Sequence, residues 1–378
     1  MHALWKSLVY DAATQPESGR VAFFDGLCGL EWGTWLCGFT AGRTKHHHEG
    51  TIFLCRSRDG GQTWRLLPWR FETQLDGRPG SLAGAELIEV GPTTLLLFTT
   101  WFDRSDPQRP LFDPQTEGIL RSRQLMAVSL DEGDTWSSWR VVETPDLSGT
   151  AITGPVLRWA GGGIAFAFES FKEFDDPSPP RHGAWLLVSR DGGQTFDPPH
   201  LVAQDPQQQL YYWDQRLCAG REPAEYLGLF WTHDRAAKRD LNVHLVRGNI
   251  NQPDSQRRLP VATTIPGQIA APLWLPDGRL LAFVVDRQRP GTMRLWCSRD
   301  QGETWPETEC LTVHQHDEQA RLSQGSDNID FAQYWEDMAK WTFGHPAIRL
   351  LDEEHVLVTW YAGMPGCMSI HAAAIHVG

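Results

Sequence analysis

Several kinds of feature are missing from this sequence. No stretch approaches the roughly 18–20 consecutive apolar residues of a membrane-spanning helix, and the first 20 residues contain no apolar core of a secretory signal. No block of Lys and Arg is present, and the net charge is −13, so the chain as a whole would repel nucleic acid. We therefore expect a cytoplasmic protein that binds neither membranes nor nucleic acid.

Closely spaced cysteines are missing as well. The seven Cys residues are scattered along the chain, and none forms a Cys-x-x-Cys pair. An odd number at irregular spacing is typical of reduced thiols that pack as small apolar side chains. We expect no metal site and no cofactor.

Glycine and tryptophan, in contrast, are abundant, with 35 Gly and 18 Trp. A segment of the form Ser-x-Asp-x-Gly-x-Thr-(Trp/Phe) occurs four times, at residues 57–64, 129–136, 189–196 and 298–305. Its Asp can accept hydrogen bonds from backbone N–H groups of the same turn, and its Gly supplies a positive φ. Successive copies start 72, 60 and 109 residues apart, and the last interval is close to two repeats. The spacing therefore indicates a unit without a copy between the third and the fourth.

The residues around each copy predict a four-stranded antiparallel unit with the repeated segment in its last hairpin. We place the innermost strands of six units at residues 21–24, 85–89, 154–158, 215–219, 271–275 and 345–350. The last unit would use residues 369–377 as its third strand and residues 4–10 as its fourth, which removes free sheet edges. We expect residues 1–378 to form one all-β domain, a six-bladed β-propeller of four-stranded blades, with residues 314–340 as a polar loop on one face.

The repeated segment resembles the Asp-box, or BNR repeat, of the sialidase (neuraminidase) superfamily, and the resemblance covers nearly the whole chain. It implies a propeller whose boxes lie on the rim opposite the ligand pocket. Asp59, Asp131, Asp191 and Asp300 are therefore expected to be structural. The resemblance does not single out one activity, because such propellers include sialidases, other exo-glycosidases, carbohydrate lyases and non-enzymatic binders.

The first candidate segment is GRTKHHHE, residues 42–49, between the second and third strands of the first unit. The resemblance implies a pocket Arg and a general-acid Asp here. Arg43 matches the Arg, and we expect it to bind substrate together with His46. His48 and Glu49 stand where the Asp would be, and either can act as an acid near neutral pH. Neighbouring strand residues point to opposite faces, so His46, His47 and His48 are not expected to converge on one metal ion.

The second candidate segment, YYWDQR, opens the fourth unit at residues 211–216. The resemblance implies a Glu here that activates the nucleophile, with a pocket Arg further on. Asp214 approximates that Glu, and Arg216 would share its face of the strand. Trp213 offers a stacking surface for a sugar, and His233 lies at the polar end of the following strand.

The third candidate segment opens the sixth unit, where the resemblance implies a nucleophilic Tyr. His345 stands there instead, and Tyr361 lies at the far end of the next strand. The Arg-Ile-Pro motif of the superfamily is also absent, the nearest match being residues 20–22. Weaker candidates for the channel are Glu86, Asp103, Arg104, Glu169, Lys172 and Gln268, and Trp101 and Trp231 are expected to offer further stacking faces for a sugar.

Together these residues favour a sialidase-like, exo-acting glycoside hydrolase that acts on a terminal sugar. His48 or Glu49 would protonate the leaving oxygen and Asp214 would act as base, while Arg43 and Arg216 could hold an acidic group of the sugar. Two alternatives stay open. One is a uronate lyase with a His base, for which His345 is the candidate. The other is a non-catalytic carbohydrate-binding propeller, whose channel mouth would lack paired acid and base groups.

Overall fold

The computed structural model describes residues 1–30, 33–159, 162–252, 259–288, 290–316 and 338–378. Within these residues the chain is all-β, with 25 strands and short 3-10 helices at Ala12–Thr14, Glu17–Gly19 and Glu307–Glu309. Residues 338–340 have helical geometry. Most of the loop predicted at residues 314–340 lies outside the described residues. In the described part of the chain, no helix is long and apolar enough to cross a membrane.

The strands fall into six groups, which we number in chain order. The second to fifth groups each form an antiparallel sheet of their own, and the first and last groups are described below. The second group is β6 (Gly80–Gly91), β7 (Thr94–Asp103), β8 (Ser122–Ser129) and β9 (Arg140–Val142); the third is β10 (Thr150–Arg158), β11 (Ile164–Ser170), β12 (Gly183–Ser189) and β13 (His200–Ala203); the fourth is β14 (Leu210–Ala219), β15 (Glu225–Asp234), β17 (His244–Asn249) and β18 (Val261–Ala262), with β16 (Arg239–Asp240) beside β15; the fifth is β19 (Ala270–Trp274), β20 (Leu280–Asp286), β21 (Thr292–Ser298) and β22 (Cys310–Gln315).

The two ends of the chain share an eight-stranded sheet. It contains the first group, β2 (Val21–Gly29), β3 (Trp35–Gly42), β4 (Thr51–Ser57) and β5 (Arg65–Leu66), and the last group, β23 (Phe343–Leu350), β24 (His355–Met364), β25 (Cys367–His376) and β1 (His2–Tyr10). A parallel bridge between Val21 and Met368 joins the two groups. Strand β1 pairs antiparallel with β25, which confirms the predicted pairing of residues 4–10 with residues 369–377.

The first strands of the groups contact one another in a closed ring, in the order β2, β6, β10, β14, β19, β23 and back to β2. Apolar side chains fill the space between neighbouring groups; Leu36, Leu54, Leu87 and Leu97, for example, pack between the first and the second. Five of the seven cysteines are buried and all seven are free thiols, which is the packing that their scattered positions predict.

The four repeated segments form turns with the same hydrogen bonds. In the first, the Ser57 hydroxyl donates to Asp59 Oδ1 (2.8 Å) and accepts from the Gly61 N–H (2.8 Å). Asp59 accepts from the backbone N–H (2.9 Å) and the hydroxyl (2.6 Å) of Thr63. The other three copies repeat this pattern. The Gly four residues after each Ser has a φ of 89° to 94°, which only glycine adopts without strain.

The aromatic residue that ends each turn packs towards a neighbouring group. The Phe196 ring, for example, lies 6.2 Å from Phe98 in the second group and 5.8 Å from Phe166 in the third, measured between ring centroids. All four turns connect a third strand to a fourth strand. Because successive strands are antiparallel, these turns lie at the end of the strands opposite the second-to-third-strand loops.

Replacing Asp59 by Asn should lower the free energy of unfolding by about 1–2 kcal/mol at neutral pH, because charge-assisted hydrogen bonds in an exposed turn are lost. The hydrogen bonds from Thr63 hold the pKa of Asp59 below its usual value. Its contribution is therefore present above pH ~4 and is lost as the pH falls through the lowered pKa.

Thermal unfolding at pH 7 and pH 3 tests this prediction. The melting temperature of the Asp59→Asn protein should fall by a few °C at pH 7 and should approach that of the wild type at pH 3. Glu303→Gln, which removes an exposed carboxylate from another of these turns, is the matched control and should unfold like the wild type. An equal loss in both variants would show that net charge, and not the turn, is responsible.

Candidate functional site

A cleft opens where the first strands meet at the centre of the ring. It receives side chains from the first, second, third, fourth and last groups, and we refer to it as the central cleft. Its lining comprises Phe24, His46, Ala83, Gly84, Glu86, Thr100, Phe102, Leu111, Phe112, Ile119, Ala151, Ile152, Thr153, Glu169, Phe171, Trp213, Asp214, Trp231, Met338 and His345.

A β-bulge recurs in five of the first strands and aims side chains into the central cleft. The pairing of each of these strands with its neighbour skips residues, and the skipped residues include Phe24, Gly84, Thr153, Asp214 and His345. All five line the cleft. Strand β19 pairs without a bulge and contributes none of the lining residues. A bulge re-aims a side chain at the point where the ladder is interrupted, so the cleft is built by a repeated backbone irregularity.

Three of the bulge residues are not glycine and yet have a positive φ, namely Phe24 at 54°, Asp214 at 47° and His345 at 57°. A positive φ is costly for residues with a Cβ, most of all for bulky ones, and such conformations concentrate at functional sites. Asp and His adopt it more readily than Phe. This strain is a reason, independent of its shape, to take the central cleft as the candidate functional site.

Glu169 and Asp214 form the most strongly perturbed acid pair in the central cleft. Glu169 Oε1 accepts a hydrogen bond from the backbone N–H of Gln215 (3.3 Å), the residue next to Asp214. Burial and the nearby Asp214 carboxylate raise the pKa of Glu169 well above its usual value. Burial also raises the pKa of Asp214, but Arg216, Arg287 and Lys45 oppose that rise. The pKa of Glu169 is therefore raised well above its ordinary value, and the basic groups around Asp214 counteract the rise that burial gives to its pKa.

Arg216 is buried below the lining and is committed to protein groups. Its Nη1 lies 3.4 Å from Glu86 Oε1, its Nη2 lies 4.0 Å from Asp214 Oδ1, and Nη2 also contacts His345 Nε2. Burial raises the pKa of Glu86 to about 7, although Arg216 opposes the rise. Arg216 thus neutralises one carboxylate of the cleft and orients a second.

His345 lies in the central cleft, but both of its ring nitrogens are engaged. Nε2 faces the Arg216 guanidinium, which can only donate, so Nε2 accepts. Nδ1 therefore carries the proton and donates to the backbone carbonyl of Asp25 (3.1 Å). Burial and Arg216 hold the pKa of His345 well below its usual value. The predicted role of His345 as a catalytic base is corrected, because its only lone pair is already used.

Two further basic side chains, Lys45 and Arg287, lie next to the cleft, and the sequence analysis did not single them out. Burial and the nearby Arg287 hold the pKa of Lys45 well below its ordinary value. Lys45 Nζ donates to the Tyr361 hydroxyl (2.7 Å) and to the Met338 carbonyl (3.1 Å). Arg287 Nη2 donates to the Phe343 carbonyl (2.9 Å), and its guanidinium lies 3.9 Å from the centroid of the Trp341 ring. Both favour the ionised form of Asp214. Their positions carry a signal, since Lys45 lies within GRTKHHHE and Arg287 directly follows β20.

His233 packs against Trp213, a residue of the cleft lining. Its ring stacks on Trp213, with centroids 5.2 Å apart and an interplanar angle of 9°. His233 Nδ1 lies 3.1 Å from Asp240 Oδ1, and Asp240 Oδ2 accepts from Gln268 Nε2 (2.8 Å). His233 was predicted to bind substrate; it is absent from the cleft lining, and its contacts hold the Trp213 ring in place.

Four residues predicted to form the site lie outside the lining of the central cleft, namely Arg43, His48, Glu49 and Trp101. The loop between β3 and β4 has a positive φ at His46 (56°). His46 lines the cleft and Lys45 is buried beside it, whereas Arg43 and Glu49 are exposed and His48 lies outside the lining. Arg43 pairs with Glu17 (3.1 Å) and Glu49 (3.5 Å), so its predicted role in substrate binding, and those of His48 and Glu49 as acids, are corrected.

Trp101, the fourth, packs in the core between the first and second groups. Its Nε1 donates to the Thr73 carbonyl (2.8 Å), and the ring is buried. It therefore offers no stacking face to a sugar in the central cleft. Trp213 and Trp231 are as deeply buried as Trp101 but border the central cleft, which Trp101 does not.

The polar groups open to a ligand are neutral or acidic. His46 Nε2 and the Thr153 hydroxyl are buried and have no hydrogen-bond partner among the described residues. Burial, Lys45 and Arg104 lower the pKa of His46 to about 3, so its ring is neutral. Among the described residues that line the cleft there is no Arg or Lys. The described lining thus suits hydroxyl groups and an apolar sugar face better than a carboxylate.

No family model matches this chain, and no curated protein matches it. Solved structures with the same fold include a protein of unknown function from Dyadobacter fermentans, at 16% identity and a TM-score of 0.73, with 100% of this chain and 99% of that chain covered. The Hadza microbial sialidase Hz136 has 17% identity and a TM-score of 0.68, with 98% and 68% covered. An α-L-arabinanase from Penicillium chrysogenum, complexed with arabinobiose, has 12% identity and a TM-score of 0.65, with 100% and 99% covered. At these identities the likeness establishes the fold alone.

Proposed function

We propose that this protein is a glycoside hydrolase that removes a terminal, neutral sugar, and that its closed ring of strand groups is a six-bladed propeller of the sialidase type. The observation that carries the activity is the Glu169–Asp214 pair, in which burial and the Asp214 carboxylate raise the pKa of Glu169 well above its ordinary value while Arg216, Arg287 and Lys45 oppose the rise at Asp214. Most glycoside hydrolases use two carboxyl groups with different pKa values, one as general acid and the other as nucleophile or base. Solved structures of the same fold include sialidases, an arabinanase and an arabinofuranosidase, which supports this class.

In this mechanism Glu169 donates its proton to the glycosidic oxygen as the bond to the anomeric carbon breaks. The Asp214 carboxylate stabilises the positive charge that develops on the sugar ring, and then either attacks the anomeric carbon or activates a water molecule. Lys45, Arg216 and Arg287 keep Asp214 ionised next to its partner acid. The configuration of the first sugar product distinguishes a retaining reaction from an inverting one.

The proposed substrate is neutral because, among the described residues, the lining of the cleft offers no guanidinium group to bind a carboxylate. Recognition of a sugar carboxylate calls for Arg side chains placed for bidentate hydrogen bonds. Arg43 lies at the surface and Arg216 is bonded to Glu86 and His345. The sequence analysis allowed an acidic sugar on the strength of these two residues. The described lining favours a hydroxyl-bearing sugar that stacks on Trp213 or Trp231 and bonds to His46 and Thr153.

The two alternatives are weaker for specific reasons. A uronate lyase needs a basic His and a cation that neutralises the uronate. His345 has no free nitrogen, His46 is a very weak base, and the described lining contains no cation. A non-catalytic binder would have no need of two perturbed carboxyl groups side by side. Neither alternative accounts for the Glu169–Asp214 pair.

Assay of a panel of aryl glycosides tests the proposal. Neutral glycosides, α-L-arabinofuranoside among them, should be hydrolysed at least tenfold faster than the N-acetylneuraminide and the glucuronide, because only the latter two bring an unpaired carboxylate into the cleft. Turnover of the neuraminide alone would contradict the neutral substrate. An unsaturated product from uronate oligosaccharides would show a lyase, and sugar binding without any turnover would show a binder.

A further inference from the structure

The loop that joins β3 to β4 sends polar side chains in two directions. His46 lines the central cleft, whereas the three residues after it, His47, His48 and Glu49, lie together on the outer side. The loop is closed by hydrogen bonds from the His47 N–H to the Thr44 carbonyl (3.4 Å) and from the Gly50 N–H to the His47 carbonyl (2.9 Å). The backbone N–H of Glu49 also donates to His47 Nδ1 (3.1 Å), so a bound metal ion must replace this hydrogen bond to use the lone pair of His47. The chain therefore holds these three side chains next to one another outside the proposed active site.

The geometry of these three side chains is that of a metal-binding cluster. One donor atom from each of His47, His48 and Glu49 lies within 4.8 Å of the others, and among the described residues this is the one such cluster of three or more His, Cys, Asp and Glu side chains. The two imidazole rings lie 4.2 Å apart at an angle of 31°. In a regular strand the neighbours would point to opposite faces. The turn with a positive φ at His46 removes that alternation, so consecutive residues converge.

The donor set selects the class of ion. Two imidazoles and one carboxylate suit zinc and the other late first-row divalent ions, whereas calcium and magnesium prefer sets made of oxygen atoms. Three protein ligands leave further coordination positions open, and the partly exposed side chains allow water to fill them. We propose that His47, His48 and Glu49 form a surface binding site for Zn²⁺ or a similar late first-row divalent ion.

Arg43 sets a limit on the affinity of this site. Its Nε lies 3.5 Å from Glu49 Oε2, and its Nη1 lies 3.1 Å from Glu17 Oε2. A bound cation must share the Glu49 carboxylate with this guanidinium or displace it. Removal of the Arg43 charge should therefore tighten metal binding, by roughly three- to tenfold if the exposed pair is worth about 1 kcal/mol.

Calorimetric titration of the full chain, without an affinity tag and after treatment with a chelator, tests the site. With ZnCl₂ we expect saturable binding of one ion per chain, and with CaCl₂ no binding. His48→Ala and Glu49→Gln should each weaken Zn²⁺ binding at least tenfold, since each removes one of three ligands. His355→Ala, which removes a half-buried histidine far along the chain, is the matched control and should bind Zn²⁺ like the wild type.

Arg43→Gln gives a result of opposite sign, since it should bind Zn²⁺ more tightly than the wild type. The melting temperature of each apo variant shows that the fold is kept. Absence of saturable Zn²⁺ binding, or binding that His48→Ala leaves unchanged, would overturn the proposal. The titration needs no substrate, so its outcome is independent of whether the central cleft hydrolyses glycosides.

Discussion

Replacement of Asp214 by Asn is expected to lower kcat/KM for glycoside hydrolysis by at least about 10³-fold. The amide carries no charge and can neither attack the anomeric carbon nor accept a proton from water, so stabilisation of the transition state is lost. The fold should survive, because Asn tolerates the positive φ of 47° at this position better than most residues. The measurement is kcat/KM on the best substrate of the aryl glycoside panel, together with the melting temperature.

Asp59→Asn is the matched control for this prediction, since it makes the same chemical change in a turn at the opposite end of the strands. It should keep the activity of the wild type at temperatures below its melting transition. If Asp214→Asn kept more than about a tenth of the wild-type kcat/KM, a role for Asp214 in the chemical step would be excluded.

The pH profile of the wild type offers a second test of Asp214. Activity requires the ionised carboxylate, so it should fall as the pH falls through the pKa of Asp214. Burial raises that pKa above the ordinary value of 3.8, against the opposing effect of Arg216, Arg287 and Lys45. The acid limb of kcat/KM should therefore lie above pH 3.8, and Arg287→Met should move it to still higher pH, because a guanidinium that favours the carboxylate is gone.

The strand order could be predicted from the sequence because it depends on local signals. The predicted innermost strands at residues 21–24, 215–219 and 345–350 fall within β2, β14 and β23. The turns between strands use Gly and Asp in ways that depend on a few neighbouring residues. The pairing of the N-terminal strand with β25 could also be predicted, since the last group would otherwise have only three strands.

The bulges could not be predicted, and they decide which side chains face the central cleft. A glycine in the sequence usually indicates where the backbone has a positive φ, but Phe24, Asp214 and His345 have a positive φ and are not glycine. Their cost must be offset by packing among strands that are far apart in sequence. An expectation based on regular alternation along each strand therefore cannot place these residues.

The errors in the GRTKHHHE segment have the same origin. A turn at His46 places Lys45 and His46 on the inner side of the loop and leaves Arg43 and Glu49 at the surface, an outcome that spacing from a neighbouring strand cannot reveal. Glu169 was recognised only as one weak candidate among several. Its importance appears once the bulge at Asp214 brings the Gln215 N–H to its carboxylate.

Replacement of Glu169 by Gln should give a loss of activity that depends on the leaving group. A sugar leaving group needs a proton as it departs, so hydrolysis of an oligosaccharide should slow by about 10²–10⁴-fold. A dinitrophenolate leaves without protonation, so the dinitrophenyl glycoside of the same sugar should be cleaved at close to the wild-type rate when bond cleavage is measured in the first turnover. The amide keeps the size of the acid and can still accept the hydrogen bond from the Gln215 N–H.

In the Glu169→Gln variant, the fall in activity at alkaline pH should disappear, because the group whose ionisation causes it is absent. Burial and the Asp214 carboxylate raise the pKa of Glu169 well above 4.5, so the wild type keeps its proton donor, and its activity, at pH values where an ordinary Glu would be ionised. Glu169→Gln has no proton to lose, so its residual hydrolysis of the oligosaccharide should show no alkaline limb, whereas that of the wild type should. Equal losses on the oligosaccharide and on the dinitrophenyl glycoside would assign Glu169 a structural role. In that case another group would have to supply the proton, and among the described residues that line the cleft Glu86, whose pKa burial raises to about 7, is the remaining carboxyl.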